Sequence, residues 1–254
     1  MEANVLYQQV KNEINNYIIE YSDFMGIDYS PNYELQFKKV SQERADSYGI
    51  ESPANTRFLI DLQKHILCVA ENSPREKYII FHELTHMLDS DLHVKGSKIR
   101  KMGLGGYTEY HASQIGFVEL LGASEVNSVK PFSMNDMCNT ISGNKSILDY
   151  VGEKQQTASY LFGQKGFPTD LQQLSDSLGV LFNYWGLRSI CEMYATDFVE
   201  IIDNDVFMTF IPSKLFSEIN RLMHGWLDEE QIEQSIVRYN AIIFSIAKQL
   251  NLSS

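Results

Sequence analysis

Hydrophobic residues recur at helical spacing along most of the chain and alternate at strand spacing in a few short stretches. Apolar side chains three and four positions apart over residues 2–25 predict an N-terminal helix that ends at Gly26. Alternating apolar and polar residues over 33–37 predict a strand. Two apolar runs, 57–62 and 66–70, predict a β-hairpin. These patterns together predict a small sheet beside helices.

Two more helices are predicted in the middle of the chain. Ser73 is a good N-cap, Pro74 suits the first helical position and Glu76 completes a capping box, so the first helix is predicted from residue 74. Its apolar band consists of Tyr78, Ile79, Phe81, Leu84, Met87 and Leu88. The second helix is predicted to open at Glu109, because glycines precede it and Thr108 can cap it.

A basic, glycine-containing stretch separates these two helices. Lysine and arginine are frequent from Lys95 to Lys101, and glycines follow at Gly103, Gly105 and Gly106. This composition predicts a flexible loop. Such a loop is either simply solvated or acts as a lid beside a cleft.

The second half of the chain is predicted to be mostly helical. Residues 123–145 are polar and interrupted by turn-forming residues, and 201–211 predict a short strand or a buried loop. Helices are predicted at 146–163, 169–185, 187–198, 212–224 and 228–250. We therefore predict an α+β fold, with one domain at 1–122 that contains the sheet and a mostly helical region at 123–254.

The residues with the clearest chemistry form an H-E-x-x-H motif, His82-Glu83-Leu84-Thr85-His86. Side chains four apart share one face of a helix, so His82 and His86 can bind one Zn²⁺, and Glu83 can accept a proton from water. Glu109 is the predicted third ligand. His93 is an alternative third ligand, although it lies one residue beyond the position that metzincins use.

Four neighbouring residues have predicted roles around this site. Asp89 either orients a ligand imidazole or is an exposed residue near a helix end. His111 faces away from the side of Glu109 and is a poor ligand. Because gluzincin-type peptidases often stabilise an oxyanion with a Tyr or His, similarity to them makes Tyr107 a candidate for that role. His224 is predicted to be a helix-end residue.

The stretch from Arg57 to Leu88, together with the segment around Glu109, resembles the ImmA/IrrE family of bacterial and phage metallopeptidases. In that family a strand and a linker precede a helix of the form R-x-x-(apolar)₃-x-H-E-(apolar)-x-H, and a later helix carries Glu followed by Ala three residues on. Arg75 and Ala112 fit this pattern. The chain departs from it at Thr85, Ser113 and Gly116, where the family prefers Gly, Asn or Asp, and Ala.

The resemblance covers about residues 33–122. It implies a zincin-like domain of the gluzincin type, in which the strand beside the active-site helix binds substrate backbone. It also implies regulatory proteolysis of a protein or peptide partner, such as a transcriptional repressor encoded by a phage or mobile element.

Charge and cysteine content restrict the remaining function classes. A net charge of −12 argues against a nucleic-acid surface. Three separated cysteines, Cys68, Cys138 and Cys191, predict reduced thiols rather than a disulfide framework. The sequence shows no leader pattern and no apolar run that would span a membrane, which predicts a cytoplasmic protein.

These observations predict a selective, cytoplasmic, zinc-dependent endopeptidase with a protein or peptide substrate. Two alternatives remain at this point. One is a catalytically silent interaction protein that retains the zincin fold. The other is a toxin or antitoxin module.

Overall fold

A computed structural model describes residues 2–37, 66–69, 76–200 and 204–250 of the chain. These ranges contain eight helices and four short strands, in agreement with an α+β fold that is mostly helical. The predicted strand at 57–62, and the predicted capping residues Ser73 and Pro74, lie outside the described residues.

The helices are α1 (Glu2–Met25), α2 (Lys77–His93), α3 (Lys98–Leu120), α4 (Ile147–Phe162), α5 (Leu171–Tyr194), α6 (Asp205–Met208), α7 (Ser213–Leu222) and α8 (Glu229–Gln249). The strands are β1 (Glu34–Phe37), β2 (Ile66–Val69), β3 (Met137–Thr140) and β4 (Gly143–Ser146).

The strands form two separate pairs. β1 and β2 are parallel, with Glu34 opposite Ile66. The predicted strand at 66–70 is therefore confirmed at Ile66–Val69, where it pairs with β1. The predicted hairpin partner at 57–62 lies outside the described residues. β3 and β4 are antiparallel across a tight turn at 141–142, and Gly143, the first residue of β4, has a φ of 104°. The sequence interpretation missed this hairpin because its strands show no clear alternation.

α2 starts later than the capping pattern predicted. Glu76 is the N-cap residue, with extended backbone angles and no side-chain capping bond, and the helix proper begins at Lys77. Glu76 caps the helix through its backbone alone: its carbonyl oxygen accepts hydrogen bonds from the amides of Ile79 and Ile80. The prediction that Glu76 is the third helical residue was wrong.

α3 corrects the interpretation of the basic stretch. The helix begins at Lys98, and Ser97 caps it by accepting a hydrogen bond from the Arg100 amide at 3.4 Å. Glu109 therefore lies in mid-helix rather than at a helix start, and the glycines before it are helical. From Lys98 onward the stretch is helix rather than a flexible loop, and only the short turn at 94–97 separates α2 from α3. The sequence interpretation overlooked Ser97 as the cap of this helix.

The glycines of α3 permit close helix packing. A Cβ on Gly106 would lie 2.7 Å from the Phe182 ring and would also overlap Tyr239. A Cβ on Gly116 would lie 2.8 Å from the Tyr78 carbonyl oxygen. These contacts bring α5, α8 and α2 against α3, so the glycines serve packing rather than flexibility.

Residues 169–198 contain one helix where two were predicted. α5 continues through Gly186 without a break. A Cβ at this position would overlap the Tyr110 carbonyl oxygen of α3, so the residue is a glycine for packing reasons. Gly186 lets α5 cross α3 closely. Residues 205–208 form the short helix α6, in place of the strand or loop predicted for 201–211.

One hydrophobic core extends across both halves of the chain. It includes Tyr21 of α1, Phe81 of α2, Phe117 of α3 and Trp185 of α5, all at most 1% exposed. The buried Arg188 is paired with Glu200 at 2.9 Å and donates to the Asn220 side chain at 2.6 Å. The division at residue 122 stays a prediction, but packing joins the two parts around α3.

Candidate metal centre

α2 places the two histidines of the H-E-x-x-H motif side by side. His82 and His86 lie one turn apart on the same helical face, and their Nε2 atoms are 3.1 Å apart. Their side chains are 22% and 7% exposed, so the pair is half-buried and still reachable from solvent.

α3 brings Glu109 to the same point. Its Oε2 lies 3.8 Å from His82 Nε2 and 3.6 Å from His86 Nε2. A point equidistant from these three atoms lies about 2.0 Å from each of them, which matches the usual Zn–N and Zn–O bond lengths. The three donors therefore lie close enough together to hold one metal ion.

Glu83 adjoins the same pair of imidazoles. One ligand atom each from His82, Glu83 and His86 lies within 4.8 Å of the others, so this cluster could hold a metal ion. Two carboxylates thus flank the histidines, Glu83 from α2 and Glu109 from α3. This arrangement allows one of them to bind the metal while the other accepts a proton.

α3 also holds the far side of each imidazole. Thr108 Oγ1 is 2.9 Å from Nδ1 of His86, and His82 forms a hydrogen bond with the Ala112 backbone. When Nδ1 of His86 donates its proton to Thr108, Nε2 keeps its lone pair for a metal. The sequence interpretation used Thr108 only as a cap. Its position directly before Glu109 is the signal that identifies it.

Burial and neighbouring charge keep His82 neutral. Burial is the main cause that lowers the pKa of His82 well below 6.5, and electrostatic interactions with His86 and Lys154 lower it further. A neutral imidazole is the form that binds a metal ion. The shift therefore favours metal binding at neutral pH.

Asp89 forms a separate pair on the same two helices. It is 1% exposed, and its Oδ1 accepts a hydrogen bond from Nδ1 of His111 at 2.9 Å. The prediction that Asp89 is exposed was wrong, and its hydrogen-bond partner is His111 rather than either histidine of the motif. We call Asp89 and His111 the closed pair.

Aromatic rings cover the closed pair. Tyr107 stacks on His111 with ring centroids 5.4 Å apart, and the His93 ring meets Tyr107 edge-on at 5.7 Å. His93 is thereby engaged in packing at the end of α2, and Tyr107 is only 6% exposed. His224 follows α7 and hydrogen-bonds Glu192 at 2.7 Å, which agrees with its prediction as a helix-end residue.

The helical second half contributes to the surroundings of Glu109. Gly179 of α5 faces this side chain, since a Cβ there would lie 3.6 Å from the Glu109 carboxylate. Lys154 of α4 interacts electrostatically with both His82 and Glu109. The sequence interpretation missed both residues, because nothing in their local sequence relates them to the motif.

None of the described helices has the length and apolar character needed to cross a membrane. Comparisons of the chain with protein-family models, with curated proteins and with solved structures give no match.

Proposed function

We propose that the protein is a zinc-dependent endopeptidase of the gluzincin type, as its resemblance to the ImmA/IrrE family implies. His82, His86 and Glu109 bind the zinc ion, and Glu83 is the general base. The observation that carries this proposal is the triangle of three ligand atoms from two helices, about 2.0 Å from a common centre.

Each residue has a defined task in peptide hydrolysis. Bound zinc supplies Lewis acidity, which acidifies a water molecule and polarises the substrate carbonyl. Glu83 accepts the proton of the attacking water and delivers it to the leaving amine. Thr108 and Ala112 orient the two imidazoles from α3.

The proposed substrate is a protein or peptide in the cytoplasm. The resemblance to ImmA/IrrE peptidases favours regulatory cleavage of a partner such as a transcriptional repressor. A catalytically silent interaction protein is the alternative from another class. The presence of Glu83 beside the metal ligands favours the peptidase, because a purely structural metal site needs no base.

Metal content and turnover test the proposal together. Mass-spectrometric metal analysis of purified protein is expected to find about one zinc per chain in the wild type, and less in Glu109→Ala. Zinc-loaded wild type is then assayed against a fluorogenic peptide library. Glu83→Gln is expected to keep its zinc and to lose turnover by roughly 10²- to 10⁴-fold.

Two results would count against the peptidase. Wild type that neither contains nor takes up zinc would remove the metal centre. Zinc-loaded wild type that cleaves no better than Glu83→Gln would favour the interaction protein with a structural metal site.

A further inference from the structure

A small cavity borders both partners of the hydrogen bond that orients His86. Its volume is about 10 Å³, which is close to the space that one water molecule needs. The residues that line it include His86, Ser90 and Val94 from α2 and the turn after it, and Lys101, Leu104 and Thr108 from α3. Both sets recur at helical spacing, so the cavity follows the contact between one face of α2 and one face of α3.

The Thr108 hydroxyl decides which nitrogen of His86 carries the proton. A metal can bind at Nε2 only when the imidazole proton is on Nδ1, from which it is donated to Thr108 Oγ1 at 2.9 Å. The hydroxyl then needs another acceptor for its own proton. Without one, the hydroxyl donates to Nδ1 instead, and the imidazole proton occupies Nε2, where it blocks a metal. An acceptor for Thr108 therefore favours the metal-binding form of His86.

Thr108 does not use the acceptor that is usual for a threonine within a helix. Such a side chain commonly donates to the carbonyl oxygen four residues earlier, and Thr85 of α2 does so, to Phe81 at 2.8 Å. Among the residues that the structure describes, the Thr108 hydroxyl is hydrogen-bonded to His86 alone, and Thr108 is only 3% exposed. A buried hydroxyl proton needs an acceptor, and the cavity is a space beside Thr108 that can contain one.

Ser90 supplies a second hydroxyl at the same cavity. It lies one turn beyond His86 on the same face of α2, and helical side chains lean towards the N-terminus, so Ser90 leans towards His86. Its side chain forms no hydrogen bond within the described ranges of the chain. Buried water typically makes about three hydrogen bonds. The two hydroxyls, one from each helix, can therefore share one water molecule.

We propose that this cavity holds a water molecule that accepts a hydrogen bond from Thr108 and is fixed in place by Ser90. Ser90 is thereby a positioning residue, because it acts on His86 through the water and Thr108 and touches neither metal nor substrate. The inference rests on the proposed function, since it concerns the binding of zinc to His86. It adds to the metal centre a residue that lies outside the H-E-x-x-H motif.

A double-mutant cycle on full-length protein tests this role. Zinc affinity is measured by titration against a competing chelator for wild type, Ser90→Ala, Thr108→Val and the double variant. Ser90→Ala is expected to weaken zinc binding about three- to tenfold, less than Thr108→Val, because Ser90 is one step further from the ligand. In the Thr108→Val background, Ser90→Ala is expected to change the affinity by less than about twofold, because the water then has no hydroxyl proton to accept.

Two further variants and one structure distinguish the water from a general effect on the helix. Ser90→Thr keeps a hydroxyl and is expected to bind zinc within about threefold of wild type. Ser217→Ala removes an exposed hydroxyl from α7, where it donates to the Ser213 carbonyl at 2.9 Å, and is expected to bind zinc as wild type does. A high-resolution crystal structure of zinc-loaded wild type is expected to show a water within about 3.2 Å of Thr108 Oγ1. Thermal melting checks that each variant is folded.

The outcomes separate this inference from the proposed function. Wild-type zinc affinity in Ser90→Ala would overturn the role of Ser90 and leave the metal centre intact. An equal loss in both backgrounds would do the same, since Ser90 would then act independently of Thr108. A cavity without water in the zinc-loaded crystal structure would also overturn the inference alone. Wild type that takes up no zinc would overturn the metal centre and the inference together.

Discussion

The proposed metal centre and the closed pair use the same kinds of side chain on the same two helices, yet they have different properties. At the metal centre, two imidazoles from α2 meet a carboxylate from α3, and the side chain of Glu109 is 26% exposed. In the closed pair, a carboxylate from α2 meets an imidazole from α3, and Asp89 is 1% exposed.

The two sites differ in the number of donor atoms that converge on one point and in their exposure to solvent. Nδ1 of His111 is used by Asp89, and the ring is covered by Tyr107 and Trp226. At the metal centre, Nδ1 of His86 is held by Thr108, while both Nε2 atoms and a carboxylate oxygen face one point. A histidine and a carboxylate together are therefore no sign of a metal site unless a third donor converges on them.

Among the substitutions, removal of a proposed metal ligand is expected to have the largest effect, and it acts on zinc affinity and turnover. His82→Ala eliminates one of the three donors, so zinc affinity is expected to fall by more than about a hundredfold and turnover to disappear. The variant is expected to keep its fold, because His82 is 22% exposed and lies outside the hydrophobic core clusters of the described residues. Zinc titration against a competing chelator measures the affinity, and His111→Ala serves as a matched histidine control. Zinc affinity that is equally low in both variants would contradict the distinction between the two sites.

Removal of the buried carboxylate is expected to affect stability rather than metal binding. Asp89→Ala removes the carboxylate that accepts from Nδ1 of His111 and leaves that nitrogen only the longer contact with the Tyr107 hydroxyl, at 3.4 Å. The expected cost is about 2–3 kcal/mol in the free energy of unfolding. Zinc content is expected to stay at the wild-type level. Chemical denaturation of the metal-free protein measures the cost. A loss of zinc without a loss of stability would show that Asp89 serves the metal centre instead.

Removal of the Thr108 hydroxyl, which orients His86, is expected to have an intermediate effect on zinc affinity. Thr108→Val keeps the size and the branching of the side chain but removes the acceptor for Nδ1. Zinc affinity is expected to fall about 10- to 100-fold, as is usual for the loss of a group that orients a metal ligand. Thr108→Ser retains a hydroxyl and should restore most of the affinity in the same titration. If Thr108→Val binds zinc as tightly as wild type, this hydrogen bond does not support the site.

The smallest effect is expected at the glycine that faces Glu109. In Gly179→Ala the new methyl group would meet the carboxylate at 3.6 Å, which is an ordinary van der Waals distance. Alanine also favours the helix by up to about 1 kcal/mol. Zinc affinity within about threefold of wild type and an unchanged or slightly higher melting temperature are expected. Gly106→Ala, whose methyl group would overlap Phe182 and Tyr239, is expected to cost about 1–3 kcal/mol instead.

Local sequence patterns predicted the helix with the H-E-x-x-H motif and much of the helical second half. The spacing of His82 and His86 places them on one face of any helix, whatever surrounds it. Glu109 was predicted as a third ligand, and the structure brings it to the two histidines. Its position within α3 was predicted wrongly, because the glycines before it were interpreted as a loop.

The errors share a physical cause. Glycine lowers helix propensity, so Gly103, Gly106 and Gly186 predicted loops or breaks. In the structure they are the positions where helices pack closely against α3, and the packing outweighs the propensity. Propensity is a property of neighbouring residues, whereas packing depends on residues distant in sequence.

The sequence by itself determined that His82, Glu83 and His86 lie together, since one turn of a helix is enough to do this. Only the tertiary structure decided which groups surround them. Thr108 reaches His86, Asp89 pairs with His111 instead of a motif histidine, and Lys154 of a different helix interacts electrostatically with His82. These contacts depend on how α2, α3 and α4 pack, and helix packing is set by the fit of whole surfaces rather than by any short segment.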